Sequence, residues 1–242
     1  MPDFLRMPKR CGRDFIKFPR FRDPEMNDFT AERHAMVDCQ VRPSDVTNYA
    51  IIDAMLSVPR EMFVPKSQKA VAYSEAEIRL TDGRTLMQAR TFSKMLEQTG
   101  VGPDDLVLDL AAGCGYSSAV LSRLCGAVIA IEADAGLVKN ATETFEALQI
   151  DNVVLTEGNP VAGDSAHGPF DVIFVNGGVE EVPDALVDQL KIGGRLVAIF
   201  IDGAVGQCRV IVKTEAARSS RYAFDAWAAV LPGFEKEKSF AF

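Results

Sequence analysis

Val107-Leu108-Asp109-Leu110-Ala111-Ala112-Gly113-Cys114-Gly115-Tyr116 is an apolar run that ends in an acid, passes through small residues and enters a helical pattern. Small residues at such a turn let backbone approach a ligand, and the free N–H groups at the helix start favour negative charge. Around this segment, strand and helix patterns alternate. Strands are predicted at Leu106–Leu110, Val128–Glu132, Val153–Thr156, Val172–Val175 and Arg195–Ile201. Helices are predicted from Tyr116, over Ala135–Leu148 and over Pro183–Leu190. Such alternation implies right-handed crossovers and a mostly parallel sheet. Two β-rich runs, Cys208–Lys213 and Tyr222–Val230, follow, with a polar link through Ala216, Arg218, Ser219 and Ser220, and predict a hairpin at one sheet edge. The expected fold is α/β, doubly wound and mostly parallel, with a C-terminal antiparallel hairpin.

Upstream the pattern changes. Residues 1–25 carry Arg6, Lys9, Arg10, Arg13, Lys17, Arg20 and Arg22 between isolated phenylalanines without periodicity, which predicts a disordered basic tail. Asp3, Asp14 and the lack of serine argue against a transit peptide, and Met26 is an alternative start. From Thr30 to Val58 two helical patterns follow, the second opened by Pro43-Ser44-Asp45, with Ser44 or Asp45 as its cap. Pro59 and Pro65 bound a loop, and Ala72–Gln88 reads as irregular structure with a turn at Asp82-Gly83. A helical cap over 26–100 and an α/β core over 101–242 are expected to form one compact domain.

The 242 residues suffice for one large core, and 48% hydrophobic with 25% charged residues is an ordinary globular balance. A formal net charge of -8 argues against a nucleic-acid backbone as partner. No apolar run approaches the roughly 18 residues that cross a bilayer, and the start lacks the apolar core of a secretory signal, so neither a membrane partner nor export is expected. The five cysteines are scattered without a Cys-x-x-Cys pair, which fits a reducing cytoplasm. His34 and His167 are far apart with no acid or cysteine cluster, so no metal site or catalytic triad is expected.

Two ligands suit the central turn, a dinucleotide or S-adenosyl-L-methionine. A dinucleotide site keeps its first turn clear for pyrophosphate and spaces its glycines Gly-x-Gly-x-x-Gly. Here Asp109 stands just before the turn, Ala111 takes the first slot and Ser118 the last. A carboxylate there repels pyrophosphate and suits a cofactor carrying an ammonium and a sulfonium, so S-adenosyl-L-methionine is expected. At the end of the next predicted strand, Glu132 is placed to accept both ribose hydroxyls. After the third, Asn159 in Glu157-Gly158-Asn159-Pro160 either bonds the adenine amino group or shapes a structural turn. The expected cofactor residues are Asp109, Ala111, Gly113, Gly115, Glu132 and Asn159.

Three stretches between about Val41 and Phe200 resemble the protein-L-isoaspartate O-methyltransferase family. They are Val58-Pro59-Arg60-Glu61-Met62-Phe63-Val64-Pro65 with Ala72-Tyr73, the turn from Asp109 to Ser117, and Val182-Pro183-Asp184-Ala185-Leu186 through Gln189 to Val197. The resemblance implies a seven-stranded class I methyltransferase fold. It also implies methyl transfer from S-adenosylmethionine to the α-carboxyl of L-isoaspartyl residues in damaged proteins or peptides. The family's active-site loop, Gly-x-Thr-Ile-Ser-Gln-Pro, corresponds here to Gly83-Arg84-Thr85-Leu86-Met87-Gln88-Ala89, so Thr85, Met87 and Gln88 are the implied substrate residues. Met87 replaces the serine and donates no hydrogen bond, Asn159 replaces an aspartate, and Ala111 stands where glycine is usual. Arg84 or Arg90 supplies a cation for a carboxylate substrate. No catalytic base is assigned, since a carboxylate is already ionised at neutral pH. A diverged methyltransferase acting on another carboxylate or a small metabolite, and a non-catalytic cofactor-binding module, are the alternatives.

Overall fold

The computed structural model describes residues 28–236, so the basic tail expected over 1–25 lies outside the described residues. The chain enters through α1 (Phe29–Met36), capped by Asp28, and continues through a π turn (Val37–Val41) and a 3-10 turn (Arg42–Ser44). α2 (Tyr49–Ser57) is capped by Asn48, whose side chain accepts from Ala50 N at 2.9 Å. Neither expected cap serves: Ser44 donates to the Gln40 carbonyl, and Asp45 takes a left-handed conformation that breaks the chain direction. The loop between Pro59 and Pro65 winds into a 3-10 turn (Arg60–Met62).

Within Ala72–Gln88, expected to be irregular, β1 (Ile78–Thr81) and β2 (Arg84–Leu86) form an antiparallel hairpin about Asp82-Gly83. Gly83 has φ +80°, which this turn needs and glycine adopts freely. Strands this short carry too few residues to show alternation. The sequence reading assigns no element to α3 (Ala89–Thr99), which buries Phe92, Met95 and Leu96 and ends at left-handed Gly100.

The core elements follow as β3 (Leu106–Leu110), α4 (Tyr116–Leu121), β4 (Ala127–Glu132), α5 (Ala135–Ala147), β5 (Val153–Glu157), β6 (Phe170–Val179), α6 (Asp184–Val187), β7 (Leu190–Asp202), β8 (Val205–Lys213) and β9 (Arg218–Asp225). They build a seven-stranded sheet in the order β5-β4-β3-β6-β7-β8-β9. The pairings from β5 to β7 are parallel, and β7-β8 and β8-β9 are antiparallel. This is the expected doubly wound, mostly parallel α/β architecture, with its C-terminal hairpin at one edge. The chain leaves β3 toward β4 and later returns to β6 on the other side. A cleft is therefore expected beyond the C-terminal ends of β3, β4 and β6.

Several predicted boundaries shift: β6, expected over Val172–Val175, runs Phe170–Val179, β7, expected over Arg195–Ile201, runs Leu190–Asp202, and β9, expected over Tyr222–Val230, runs Arg218–Asp225. The helix expected over Pro183–Leu190 is one turn, because Leu190 already pairs with Phe170 and Phe170 N donates to the Gln189 carbonyl. Arg218, Ser219 and Ser220, expected in the link, belong to β9, an edge strand whose exposed face takes polar residues readily.

Side chains alternate across β3 and its neighbours. Val107, Val128, Val172 and Phe174 pack with Met36, Met55, Phe92 and Val120 on one face. Leu108, Ile129, Ile173 and Leu196 pack with Leu186, Leu231 and Phe234 on the other. Asp109 shares the parity of Val107 and so points toward the α3–α4 side.

Candidate functional site

At the end of β3 the backbone turns sharply: Ala111, Gly113 and Gly115 have φ of +55°, +60° and +83°. Ala112 N donates to the Ile131 carbonyl and Gly115 N to that of Ala112, which ties the turn to β4. Gly115 is required twice, by its φ and because a Cβ there would stand 2.7 Å from Phe145 and 2.9 Å from Ala141. Gly113 bares its backbone to the hairpin, where a Cβ would meet Leu80 at 3.3 Å and Arg84 Nη2 at 3.7 Å.

Asp109 is fully buried and its oxygens are held from within the protein. Ser117 and Ser118 at the start of α4 donate to Oδ2 at 2.7 and 2.6 Å, and Asn176 Nδ2 donates to Oδ1. Burial pushes the carboxyl up to about 6; these three hydrogen bonds oppose the rise and the Glu132 charge adds to it. Asp109 thus fixes the turn, α4 and the end of β6 around one buried carboxyl group.

Glu132, at the end of β4, is 2% exposed. Its Oε1 accepts from Ala133 N and Asp134 N, and its Oε2 from Gly113 N at 2.7 Å and Arg84 Nη2 at 2.6 Å. The same Arg84 Nη2 donates to the Ala111 carbonyl at 2.7 Å. Asn159 lies exposed beyond β5, where its Oδ1 accepts from Val161 N at 3.0 Å in a local turn. The structure therefore brings Asp109, Ala111, Gly113, Gly115 and Glu132 together around one turn, with Glu132 bonded to Gly113 and linked through Arg84 to Ala111, and leaves Asn159 exposed beyond β5.

Of the implied substrate residues, Thr85 is exposed on β2, Met87 is buried behind it and Gln88 is half-buried before α3. Arg60 fixes this stretch: its guanidinium is fully buried, donates to the Ala72 and Met87 carbonyls at 2.8 and 2.7 Å, and stacks on Tyr116. Thr85 and Met87 line a small cavity with Arg84, Glu77, Asn176 and Gly177. Gln88 and Arg90 face a second cavity of about 450 Å³ bounded by Lys94, Phe224 and Trp227.

Sequence reasoning passes over Asn176, the roles of Arg60, Ser117 and Ser118, and the Arg84–Glu132 pair. Asn176 sits in the register irregularity between Phe174 and Gly178, for which the Asn176-Gly177-Gly178 run is a local signal. The Arg84 pairing spans residues far apart in sequence and has no local signal. Cys114, within the turn, is buried with its thiol pushed up to about 11, which keeps it protonated at neutral pH. Exposed His34 and His167, the latter paired with Asp164, stay apart. Among the described residues no metal-binding group of His, Cys, Asp or Glu is assembled.

These residues fit S-adenosyl-L-methionine. The turn bares glycine backbone beside two carboxylates, Asp109 at the end of β3 and Glu132 at the end of β4, a donor set whose chemistry suits a ligand with ribose hydroxyls and positive charge. Space exists beside the turn, a cavity of about 630 Å³ lined by Phe63, Leu80, Cys114, Asp134 and Leu137.

The family described as "Protein-L-isoaspartate(D-aspartate) O-methyltransferase (PCMT)" matches residues 31–223. A protein-L-isoaspartate O-methyltransferase of Pelotomaculum thermopropionicum is 36% identical over 177 residues, 73% of this chain and 77% of the relative. One of Roseiflexus castenholzii is 37% identical over 170 residues, 70% of this chain and 78% of the relative. A solved protein-L-isoaspartate O-methyltransferase superposes with a TM-score of 0.75 at 27% identity, over 83% of this chain and 66% of the other. A Plasmodium falciparum structure in complex with S-adenosyl-L-homocysteine shares the fold, with a TM-score of 0.72 at 20% identity, over 85% of this chain and 99% of the other. On its fold, its glycine turn and the match over most of its length, this chain belongs to the protein-L-isoaspartate O-methyltransferase family of S-adenosylmethionine-dependent methyltransferases.

Proposed function

We propose that the protein transfers a methyl group from S-adenosyl-L-methionine to the α-carboxylate of L-isoaspartyl residues in proteins or peptides, acting in the cytoplasm. The observation that carries this reading is the position of the hairpin. Arg84 is bonded to Glu132 and Ala111, so the Thr85–Gln88 stretch lies directly over the turn assigned to the cofactor. The cytoplasmic assignment rests on the scattered cysteines, of which Cys39, Cys114, Cys125 and Cys208 are free thiols, and on no described helix being long and apolar enough to cross a membrane.

Glu132 would hold the ribose, the Gly113 turn the methionine portion, and Asn159 the adenine edge. When bound, the cofactor supplies an electrophilic methyl group on a sulfonium. The acceptor carboxylate is already an anion at neutral pH, so no side chain has to remove a proton. The chain's task is then to align the acceptor and keep water away. Buried Met87 presents an apolar group to the small cavity, Thr85 and Gln88 offer hydrogen bonds, and Arg84 or Arg90 offers a countercharge. Buried Met87 in place of the family serine supports a second reading, a different carboxylate or a small metabolite as acceptor.

Calorimetric titration with S-adenosylhomocysteine, followed by methyl transfer to an isoaspartyl peptide and its aspartyl control, tests the proposal. Binding with isoaspartyl-selective transfer is expected. Binding without transfer would favour the second reading or a binding role, and no binding would overturn the cofactor assignment. Thr85→Ala and Arg90→Ala should each lower turnover and leave S-adenosylhomocysteine affinity unchanged.

A further inference from the structure

All acceptor positions on the Glu132 carboxylate are taken. Such a group offers about four lone-pair sites. Here Gly113 N, Ala133 N and Asp134 N fill three, and Arg84 Nη2 fills the fourth. A ribose hydroxyl reaches this carboxylate only by displacing a donor. Three of the donors are backbone groups fixed by the turn and by the approach to α5. The fourth ends a long side chain that arrives from β2 and is itself incompletely satisfied, since Arg84 Nε is buried without a hydrogen-bond partner among the described residues.

The two side chains of the ion pair are 13% and 2% exposed, so water screens the pair weakly. Arg84 also lines the cavity shared by Thr85, Met87, Glu77 and Asn176. A guanidinium that leaves Glu132 therefore stays beside the residues assigned to the acceptor, where Met87 supplies no donor.

We propose that Arg84 is a displaceable cation that couples the two ligand sites. It holds Glu132 until ribose hydroxyls claim that carboxylate, and then turns to the acceptor's carboxylate as a specificity-determining residue. The second step rests on the carboxylate acceptor proposed above. Arginine suits it, because its planar fork serves one carboxylate as well as another.

The test compares Arg84→Gln and Arg84→Ala with the wild type, by calorimetric titration with S-adenosylhomocysteine and by initial rates on an isoaspartyl peptide at saturating cofactor. Both variants should bind S-adenosylhomocysteine at least tenfold more tightly, while KM for the peptide rises at least tenfold. Residues that only support the fold, or that touch the cofactor directly, would weaken both. Unchanged or weaker S-adenosylhomocysteine binding overturns the proposal, and tighter binding with an unchanged peptide KM overturns the hand-over. Arg84→Lys covers the case in which the other variants do not fold. Its ammonium makes fewer contacts, so affinity should still rise, by a smaller factor, and a fall would count against the idea. If the wild type itself methylates no isoaspartyl peptide, the acceptor assignment fails and the affinity comparison alone decides on Arg84.

Discussion

Ala111 holds φ +55° in the tightest part of the site, a conformation that costs an L-residue with a Cβ about 1 kcal/mol or more. Glycine adopts it freely but gives up more entropy on folding. Ala111→Gly should therefore leave the protein at least as stable, by up to about 1 kcal/mol in urea unfolding; a loss of that size would contradict the strain. Asp109 makes a pH-dependent contribution. Its folded value of about 6 lies above the roughly 3.9 of an unfolded aspartate, so the folded protein binds this proton more tightly. The contribution is full below about pH 4 and is lost as pH rises through 6, a change of about 3 kcal/mol. Asp109→Asn removes that titration. The difference in unfolding free energy between wild type and variant should shift by about this amount between pH 4 and pH 7, and parallel pH curves would refute the assignment. That Asp109, Gly113, Gly115 and Glu132 lie at strand ends and in the turn between them is legible in the sequence, because residue type has a local meaning there. The contacts of Arg84 and Asn176 are not, because their partners come from distant segments.

Among the elements, the strand-turn-helix at the site and its neighbours follow their sequence patterns closely: β3 matches its predicted bounds, and β4, α5 and β5 do so within one residue. The hairpin and α6 do not, because short elements are decided by their packing partners rather than by periodicity. α5 begins at Asp134, whose Oδ1 accepts from Gly136 N at 2.8 Å and Leu137 N at 3.1 Å. Asp134→Ala should cost about 1 kcal/mol, the usual worth of such a cap, measured as a lower urea midpoint. Because Asp134 N also donates to Glu132, the cap and the carboxylate proposed for the ribose share one short stretch of backbone.

Across the whole molecule, the segment after β9 passes under the end of β6. Gly178 N donates to the Ala229 carbonyl, Leu231 N to that of Gly178, and Glu180 N and Glu181 N to that of Phe234. Phe234 is 1% exposed and packs in the layer that holds Leu186 and Leu231. Phe234→Ala should cost about 3–5 kcal/mol in equilibrium unfolding, and a cost under about 1 kcal/mol would show the segment to be dispensable. The sequence reading extends a strand to Val230 here, because apolar spacing alone does not reveal that β9 ends at Asp225 and that Val230 instead bridges to Gly178 of β6. The sheet order also bears on how the chain is made. β3 lies between β4 and β6, yet β6 is translated only after β4, α5 and β5. While the ribosome still holds Phe170–Val179, one side of β3 is an unpaired apolar edge ending at Asp109 and the glycine turn. A growing chain is therefore most exposed to misassociation, and most in need of a chaperone, at the strand that will later carry the cofactor turn.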